Sequence, residues 1–178
     1  MNINYFYEKL KEKVDYLLEK DVYFDKRYSD GLGDATWTAI INTAIYLIVD
    51  EYNKDKTDKD RILIQPESGG RGGFSDFLLV SDNGKIEELE IEHENAPKGV
   101  SRRKLTENKL DKSILNLKKS HAKIKVLITY TYPKLTYEEL KIMIEKYRSK
   151  YKFNQKLIFI YGEDGMNDGR KYQMEELI

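Results

Sequence analysis

Acidic residues recur at every second position in one part of the chain, at Glu90, Glu92 and Glu94, and Asp76 lies in the segment before it. Side chains two residues apart on a β-strand point to the same face, so the three glutamates share a face and His93 lies on the other. Like charges on one face repel each other, and a divalent cation with oxygen ligands removes that conflict. The pattern indicates either a magnesium site or a solvated acidic face that keeps a sheet edge from pairing with other chains.

Residues 82–84 have the sequence Asp-Asn-Gly, the strongest hairpin signal in the chain, and the turn decides which carboxylates meet. A two-residue turn would place Asp76 opposite Ile91. A three-residue loop with Gly84 in the left-handed conformation would place Asp76 opposite Glu90. We favour the three-residue loop because it separates the apolar and acidic side chains of the two strands more cleanly.

The elements that position these side chains follow from local patterns. Apolar residues at spacings of three and four indicate helices, and apolar runs bounded by turn residues indicate strands. Pro66 is expected to end the first strand, and the four glycines within 68–73 favour an irregular loop. Residues 163–178 are mostly polar and are left unassigned. The predicted helices span 3–20, 34–52, 102–121 and 135–151, and the predicted strands span 61–65, 74–81, 85–94, 124–132 and 156–161.

This order of elements predicts an α/β fold with a mixed central sheet flanked by helices. The first three strands form a meander, and the helix after them leads back to a strand that runs parallel to the third. Such crossovers are right-handed in nearly all known proteins. In this arrangement the first strand ends beside the start of the second, which places Glu67 near Asp76.

Composition limits the class of protein. The 178 residues fit a single domain, and although 35% are charged, 12% aromatic residues and only 3 prolines favour a packed core. The absence of cysteine excludes disulfides and thiolate metal sites, and two histidines argue against a histidine-built zinc site. No apolar run approaches the roughly 20 residues of a membrane span, and the first residues lack an apolar signal core. We therefore expect a cytoplasmic protein.

The order of elements and acidic residues resembles the PD-(D/E)XK nuclease superfamily, which has a restriction endonuclease-like αβββαβ core. The matching residues are Ser75-Asp76 at the start of the second strand and an acidic dyad late in the third. That dyad is Glu92 with Glu94, or alternatively Glu90 with Glu92. The resemblance covers about residues 34–132 of a single domain, 1–178, and leaves an N-terminal helix and a C-terminal α-β extension outside the core.

The sequence departs from the superfamily motif at two positions. Ser75 replaces a proline, and Glu94 replaces the motif lysine, which is thought to orient or activate the attacking water. Some restriction enzymes resemble this chain in carrying Glu-x-Glu, and Lys104 or Lys109 could substitute for the missing lysine. The resemblance implies a hydrolase that cuts DNA with Mg²⁺ or Mn²⁺ as cofactor. It also implies Asp76, Glu92 and Glu94 as catalytic residues, and Asp76, Glu92, Glu90 and Glu67 as candidate metal ligands.

The distribution of charge is more informative than its sum, since 31 basic and 31 acidic residues cancel. Residues 82–94 hold six acids and one lysine, whereas residues 98–125 hold ten Lys or Arg against two acids. A basic strip beside an acidic metal site suits a phosphodiesterase with a polyanionic substrate, and a solvated helix face is the alternative.

A non-catalytic nucleic-acid-binding or assembly module with the same fold is the second hypothesis, and a homodimer is consistent with relatives that cut both strands. The predicted nucleic-acid contacts are Arg71, Arg102, Arg103, Lys104, Lys109 and Lys112.

Overall fold

A computed structural model describes residues 1–19, 34–70, 73–81, 84–96, 100–131, 137–151, 156–163 and 171–176. The helices within these ranges are α1 (Ile3–Glu19), α2 (Asp34–Asn53), α3 (Val100–Lys119) and α4 (Tyr137–Lys150). The strands are β1 (Leu63–Gly70), β2 (Gly73–Ser81), β3 (Ile86–Ala96), β4 (Ile124–Thr131), β5 (Lys156–Glu163) and β6 (Lys171–Glu176).

All six strands form one mixed sheet in the order β1-β2-β3-β4-β5-β6. The strands β1, β2 and β3 are antiparallel neighbours, whereas β4 runs parallel to β3 and β5 runs parallel to β4. Parallel neighbours need long crossover connections, and α3 and α4 lie in these connections. The prediction of an α/β fold with a mixed, helix-flanked sheet is confirmed. The strand β6, antiparallel to β5, was missed because its sequence has few apolar residues.

Two helical layers cover the two faces of the sheet. On one face, α1 and α2 pack against alternating residues of β2 to β5, and the two helices are joined by salt bridges from Lys9 and Lys13 to Glu51. On the other face, α3 and α4 pack against Leu127, Phe159 and other residues of β4 and β5. Because β4 and β5 are covered on both faces, both of their sides are rich in apolar residues. No helix within the described ranges is long and apolar enough to cross a membrane.

The first hairpin differs from the sequence-based expectation. Pro66 does not end β1, and the expected irregular loop over 68–73 is wrong for residues 68–70 and 73, because Gly69 pairs with Phe74 and Gly70 pairs with Gly73. A proline is tolerated here because β1 is an edge strand, where the missing N–H need not belong to the ladder. The backbone freedom of glycine allows extended structure as well as turns. The predicted contact Arg71 lies outside the described residues.

The register of the second hairpin also differs from the one we favoured. Next to the turn, Ser81 pairs with Ile86, which is the register of a two-residue turn and not of a three-residue loop. Farther along, Leu79 pairs with Leu89, so the register shifts by one residue through a β-bulge inside the strand. The prediction that Asp76 faces Glu90 is therefore wrong, since Glu90 pairs with Leu78.

Side-chain hydrogen bonds stabilise the bulge. The extra residue is Glu88, whose carboxylate accepts hydrogen bonds from Ser81 Oγ at 2.7 Å and Lys123 Nζ at 3.0 Å. With Glu88 accommodated in this way, Leu89 aligns with Leu79 in the apolar core. At the turn itself Gly84 has φ of 88°, the left-handed conformation that we expected with the three-residue loop, although the register beside the turn is that of a two-residue turn.

The packing of the sheet against α1 and α2 leads to a stability prediction. Leu79→Ala should lower the free energy of unfolding by about 2–5 kcal/mol, because it leaves a cavity at a fully buried position. Leu115→Ala is the matched control, since Leu115 is exposed on α3, and it should change stability by less than about 1 kcal/mol. Urea unfolding measures both, and equal effects would contradict the assigned core.

Candidate functional site

The acidic residues singled out from the sequence lie on the face of the sheet that α3 covers. Asp76 is near the start of β2, and Glu92 and Glu94 are in the second half of β3. Glu92 is only 5% exposed, while Asp76 and Glu94 are half-buried. Because β2 and β3 are antiparallel, these ends of the two strands meet at one end of the sheet.

The bulge brings Asp76 and Glu92 together. Phe77 pairs with Ile91, and the same register extended by one residue sets Asp76 opposite Glu92. The backbone N–H of His93 donates a 2.6 Å hydrogen bond to Asp76 Oδ2, so the carboxylate of one strand is tied to the backbone of the other. Two carboxylates therefore face the same space at the end of the hairpin.

This arrangement strongly disfavours a negative charge on Glu92. Burial, together with the nearby negative charge of Asp76, raises the pKa of Glu92 to about 8. Asn116 Nδ2 on α3 donates to Glu92 Oε1 at 3.3 Å, which only partly offsets these effects. A positive ion between the two carboxylates would remove the conflict that the sequence pattern suggested.

Glu94 has different surroundings from the pair. Ser113 Oγ on α3 donates to Glu94 Oε1 at 3.0 Å. Burial raises the pKa of Glu94, whereas the bond from Ser113 and the positive charges of Lys109 and Lys112 oppose that rise. The carboxylate of Glu94 thus lies between the acidic pair and the basic helix α3.

Glu90, the alternative member of the dyad, has a partner of opposite charge. It pairs with Lys125 in the parallel register between β3 and β4. Lys125 is 2% exposed, and its burial lowers its pKa while the charge of Glu90 acts in the opposite direction. Glu90 thus has a neighbour of opposite charge in the sheet, whereas the electrostatic influences on Glu92 include two other carboxylates.

His93 lies on the opposite face of the sheet, as the alternation along the strand predicted. Its side chain is 8% exposed, and burial lowers its pKa to about 4. The imidazole is therefore neutral at physiological pH. Only its backbone N–H, which binds Asp76, contributes to the acidic site.

For several of the remaining predicted site residues, the structure describes the backbone but not the side chain. Glu67 lies on β1 between the pairs Pro66–Phe77 and Ser68–Ser75, and so at the backbone level of Asp76. Lys109 is half-buried and Lys112 is exposed on α3. Glu67 Oε atoms and the side chains of Arg102, Arg103 and Lys104 fall outside the described part of the structure, although their backbones lie in β1 and α3.

Sequence analysis missed the polar residues of α3 that contact the carboxylates. Ser113 and Asn116 are three residues apart and lie beside the apolar positions Leu110, Ile114 and Leu117 that we used to identify the helix. In the folded protein Ser113 is buried and Asn116 is half-buried on the helix that covers the acidic face. Without the tertiary structure, nothing distinguished them from ordinary surface positions.

The donor set can be compared with the needs of different metals. Among the described residues, no three His, Asp or Glu side chains converge to hold an ion. Structural zinc needs four nitrogen or sulfur-rich ligands in a tetrahedron, which this site does not offer. Magnesium commonly binds one or two carboxylates and keeps several waters, so the pair formed by Asp76 and Glu92 fits Mg²⁺ by number and by type of ligand.

Comparison with known proteins adds no family assignment. No protein-family model matches the chain, and neither a curated protein nor a solved structure matches it. The interpretation of the site therefore depends on the geometry and electrostatics of the described residues.

The raised pKa of Glu92 predicts how stability depends on pH in the absence of metal. The unfolded chain releases the Glu92 proton near pH 4.5, whereas the folded protein keeps it to about pH 8. Stability should therefore fall as the pH rises through this window, by about 2–4 kcal/mol in total. Glu92→Gln should remove that part of the decline, as measured by urea unfolding in EDTA at pH 5 and pH 8.

Glu87→Gln is the matched control for this measurement, because it removes a carboxylate from the same strand and leaves both the Asp76–Glu92 pair and the Glu90–Lys125 pair intact. It should retain the wild-type decline between the two pH values. A Glu92→Gln variant with the same pH dependence as the wild type would show that Glu92 does not carry the buried proton.

Proposed function

We propose that this protein is a magnesium-dependent nuclease with the restriction endonuclease-like fold, and that it hydrolyses phosphodiester bonds in DNA. The observation that carries the proposal is the juxtaposition of Asp76 and Glu92, two carboxylates on adjacent strands, in which burial and the charge of Asp76 together raise the pKa of Glu92. Repulsion between two such carboxylates lowers the stability of the folded protein. A divalent cation bound between them would remove this repulsion.

The order of the elements supports the finer fold assignment. The unit α2-β1-β2-β3-α3-β4 has the αβββαβ order of the PD-(D/E)XK core, with Asp76 in the second strand and Glu92 in the third. The step from β3 to β4 is a parallel crossover through α3, as that core requires. In this comparison α1, α4, β5 and β6 are additions to the core.

The residues of the site have distinct roles in this proposal. Asp76 and Glu92 would hold Mg²⁺, and Mn²⁺ could take its place. When bound, such an ion would supply Lewis-acid stabilisation of the negative charge on the phosphate. The backbone N–H of His93 orients Asp76, and Asn116 orients Glu92, so both carboxylates are fixed before substrate arrives.

Glu94 occupies the motif position at which a lysine is common. Its carboxylate can accept a proton from an attacking water, a role that a protonated lysine cannot take. The bond from Ser113 fixes one carboxylate oxygen of Glu94, which leaves the other for this role. The chain therefore combines two metal-binding carboxylates with a third that can serve as general base.

The basic residues of α3 support a polyanionic substrate. Lys109 and Lys112 are close enough to Glu94 to influence its ionisation, so the positive charge of α3 begins beside the acidic site. Lys118 and Lys119 add positive charge at exposed positions in the last turn of the helix. Lysines in such a row attract backbone phosphates without specifying sequence.

The second candidate function is a nucleic-acid-binding or assembly module without chemistry. One observation favours it: Glu94 replaces the motif lysine, and its carboxylate accepts a hydrogen bond from Ser113. Such a module would keep the basic strip of α3 and bind nucleic acid in the absence of metal. Cleavage and binding assays separate the two candidates.

Asp76→Asn should abolish cleavage of supercoiled plasmid DNA in Mg²⁺ while leaving the fold intact. Loss of a metal-binding carboxylate is worth several kcal/mol, so the rate should fall by about 100-fold or more. The amide oxygen can still accept the bond from His93, so stability should not fall. Asp58→Asn, at a highly exposed position in the turn after α2, should cut DNA like the wild type.

The interpretation of this experiment depends on both variants. Equal cleavage by Asp76→Asn and the wild type would exclude Asp76 from the active site. A wild-type protein that fails to nick DNA in Mg²⁺ and in Mn²⁺, but shifts it in a gel with EDTA, would support the non-catalytic module.

The contribution of α3 to binding can be measured without metal. In a gel shift with EDTA, the double variant Lys109→Gln/Lys112→Gln should bind DNA more weakly, and the slope of log K against log salt should decrease in magnitude by about 2. The double variant Lys54→Gln/Lys56→Gln removes the same charge from an exposed segment after α2 and should bind like the wild type. Equal losses in both variants would indicate a nonspecific charge effect and not a strip on α3.

A further inference from the structure

Thr129 lies beside the acidic site but belongs to none of the groups that sequence analysis selected. It is on β4, where it pairs with Glu94 in the parallel register, and it alternates with Leu127 on the face that α3 and α4 cover. Thr129 is 0% exposed. Within the described part of the chain, its Oγ1 is buried and has no hydrogen-bond partner.

A buried hydroxyl without a partner destabilises the folded protein, and a valine of the same shape would avoid that cost. Most buried polar atoms in proteins are bound to another group or to ordered water. The neighbour of Thr129 on the far side is Tyr161, and the Tyr161 hydroxyl donates to Glu175 Oε1 at 2.5 Å. Glu94, the neighbour on the near side, is the strongest acceptor that adjoins Thr129 in the sheet.

We propose that Thr129 and Glu94 together hold a water molecule, and that this water is the nucleophile of the hydrolysis. The inference rests on the proposed nuclease function. A carboxylate has about four acceptor positions, so the single bond from Ser113 leaves Glu94 able to bind a water as well. Thr129 can donate to the water oxygen or accept from it, and this fixes the orientation of the water.

Charge favours a water over a second cation at this position. Lys109 and Lys112 already place positive charge near Glu94, and Ser113 and Thr129 are neutral. A further cation would be repelled by the lysines, whereas a neutral water is not. The acidic pair, Asp76 and Glu92, remains the better position for the metal ion.

The proposed step balances as an ordinary hydrolysis. The water oxygen forms a bond to phosphorus, and one proton of the water passes to the carboxylate of Glu94. The bond from phosphorus to the departing ester oxygen breaks, and that oxygen keeps the electron pair and takes a proton from solvent. Thr129 makes and breaks no covalent bond, so it is a positioning residue.

The test compares Thr129→Val with Thr129→Ser, since valine keeps the shape and serine keeps the hydroxyl. Thr129→Val should reduce kcat for DNA cleavage about 10–100-fold with KM unchanged, and Thr129→Ser should retain most of the wild-type kcat. Thr57→Val, at an exposed position, should cleave like the wild type. Urea unfolding should show that Thr129→Val is at least as stable as the wild type, which excludes a loss of structure as the cause of a lower kcat.

A high-resolution crystal structure in EDTA supplies a readout that does not need activity. A water within hydrogen-bond distance of both Thr129 Oγ1 and Glu94 is expected in the wild type and absent in Thr129→Val. If the wild type cuts DNA and Thr129→Val cuts it equally fast, the inference is wrong and the nuclease function stands. If the wild type does not cut DNA, the proposed function fails, while the crystal structure still decides whether the two residues hold a water.

Discussion

The β-bulge at Glu88 is the feature on which the rest of the site depends. Without it, the register near the turn would continue along the hairpin and place Asp76 opposite Ile91 instead of Glu92. The bulge shifts the pairing by one residue, so that Leu79 meets Leu89 in the core and Asp76 meets Glu92 on the other face. Burial of the apolar core stabilises this register, because a one-residue slip would move buried side chains out of alignment.

A second constraint follows from the position of the acidic pair under α3. Burial and the charge of Asp76 both favour the protonated form of Glu92, and its raised pKa is typical of groups at functional sites. A purely structural role would be served better by an apolar residue at this position. The cost to stability is the physical argument for a ligand of positive charge at the pair.

The helix α3 connects the acidic and basic parts of the molecule. One side contacts the carboxylates through Ser113 and Asn116, while Lys109 and Lys112 supply positive charge to Glu94 from the same helix. The formal net charge of zero thus combines an acidic hairpin with a basic helix packed against it. In the proposed function, the basic helix of an overall neutral chain would bind a polyanion with an affinity that depends on salt.

The sequence by itself determined the order of helices and strands, the left-handed turn at Gly84 and the shared face of the three glutamates. These features depend on local periodicity and on turn preferences, which a few neighbouring residues define. The tertiary structure alone decided the bulge, the extension of β1 through its glycines, the strand β6 and the contacts from Ser113, Asn116 and Thr129. Each of these depends on pairing or packing between segments distant in the chain, where burial of the whole core outweighs local preference.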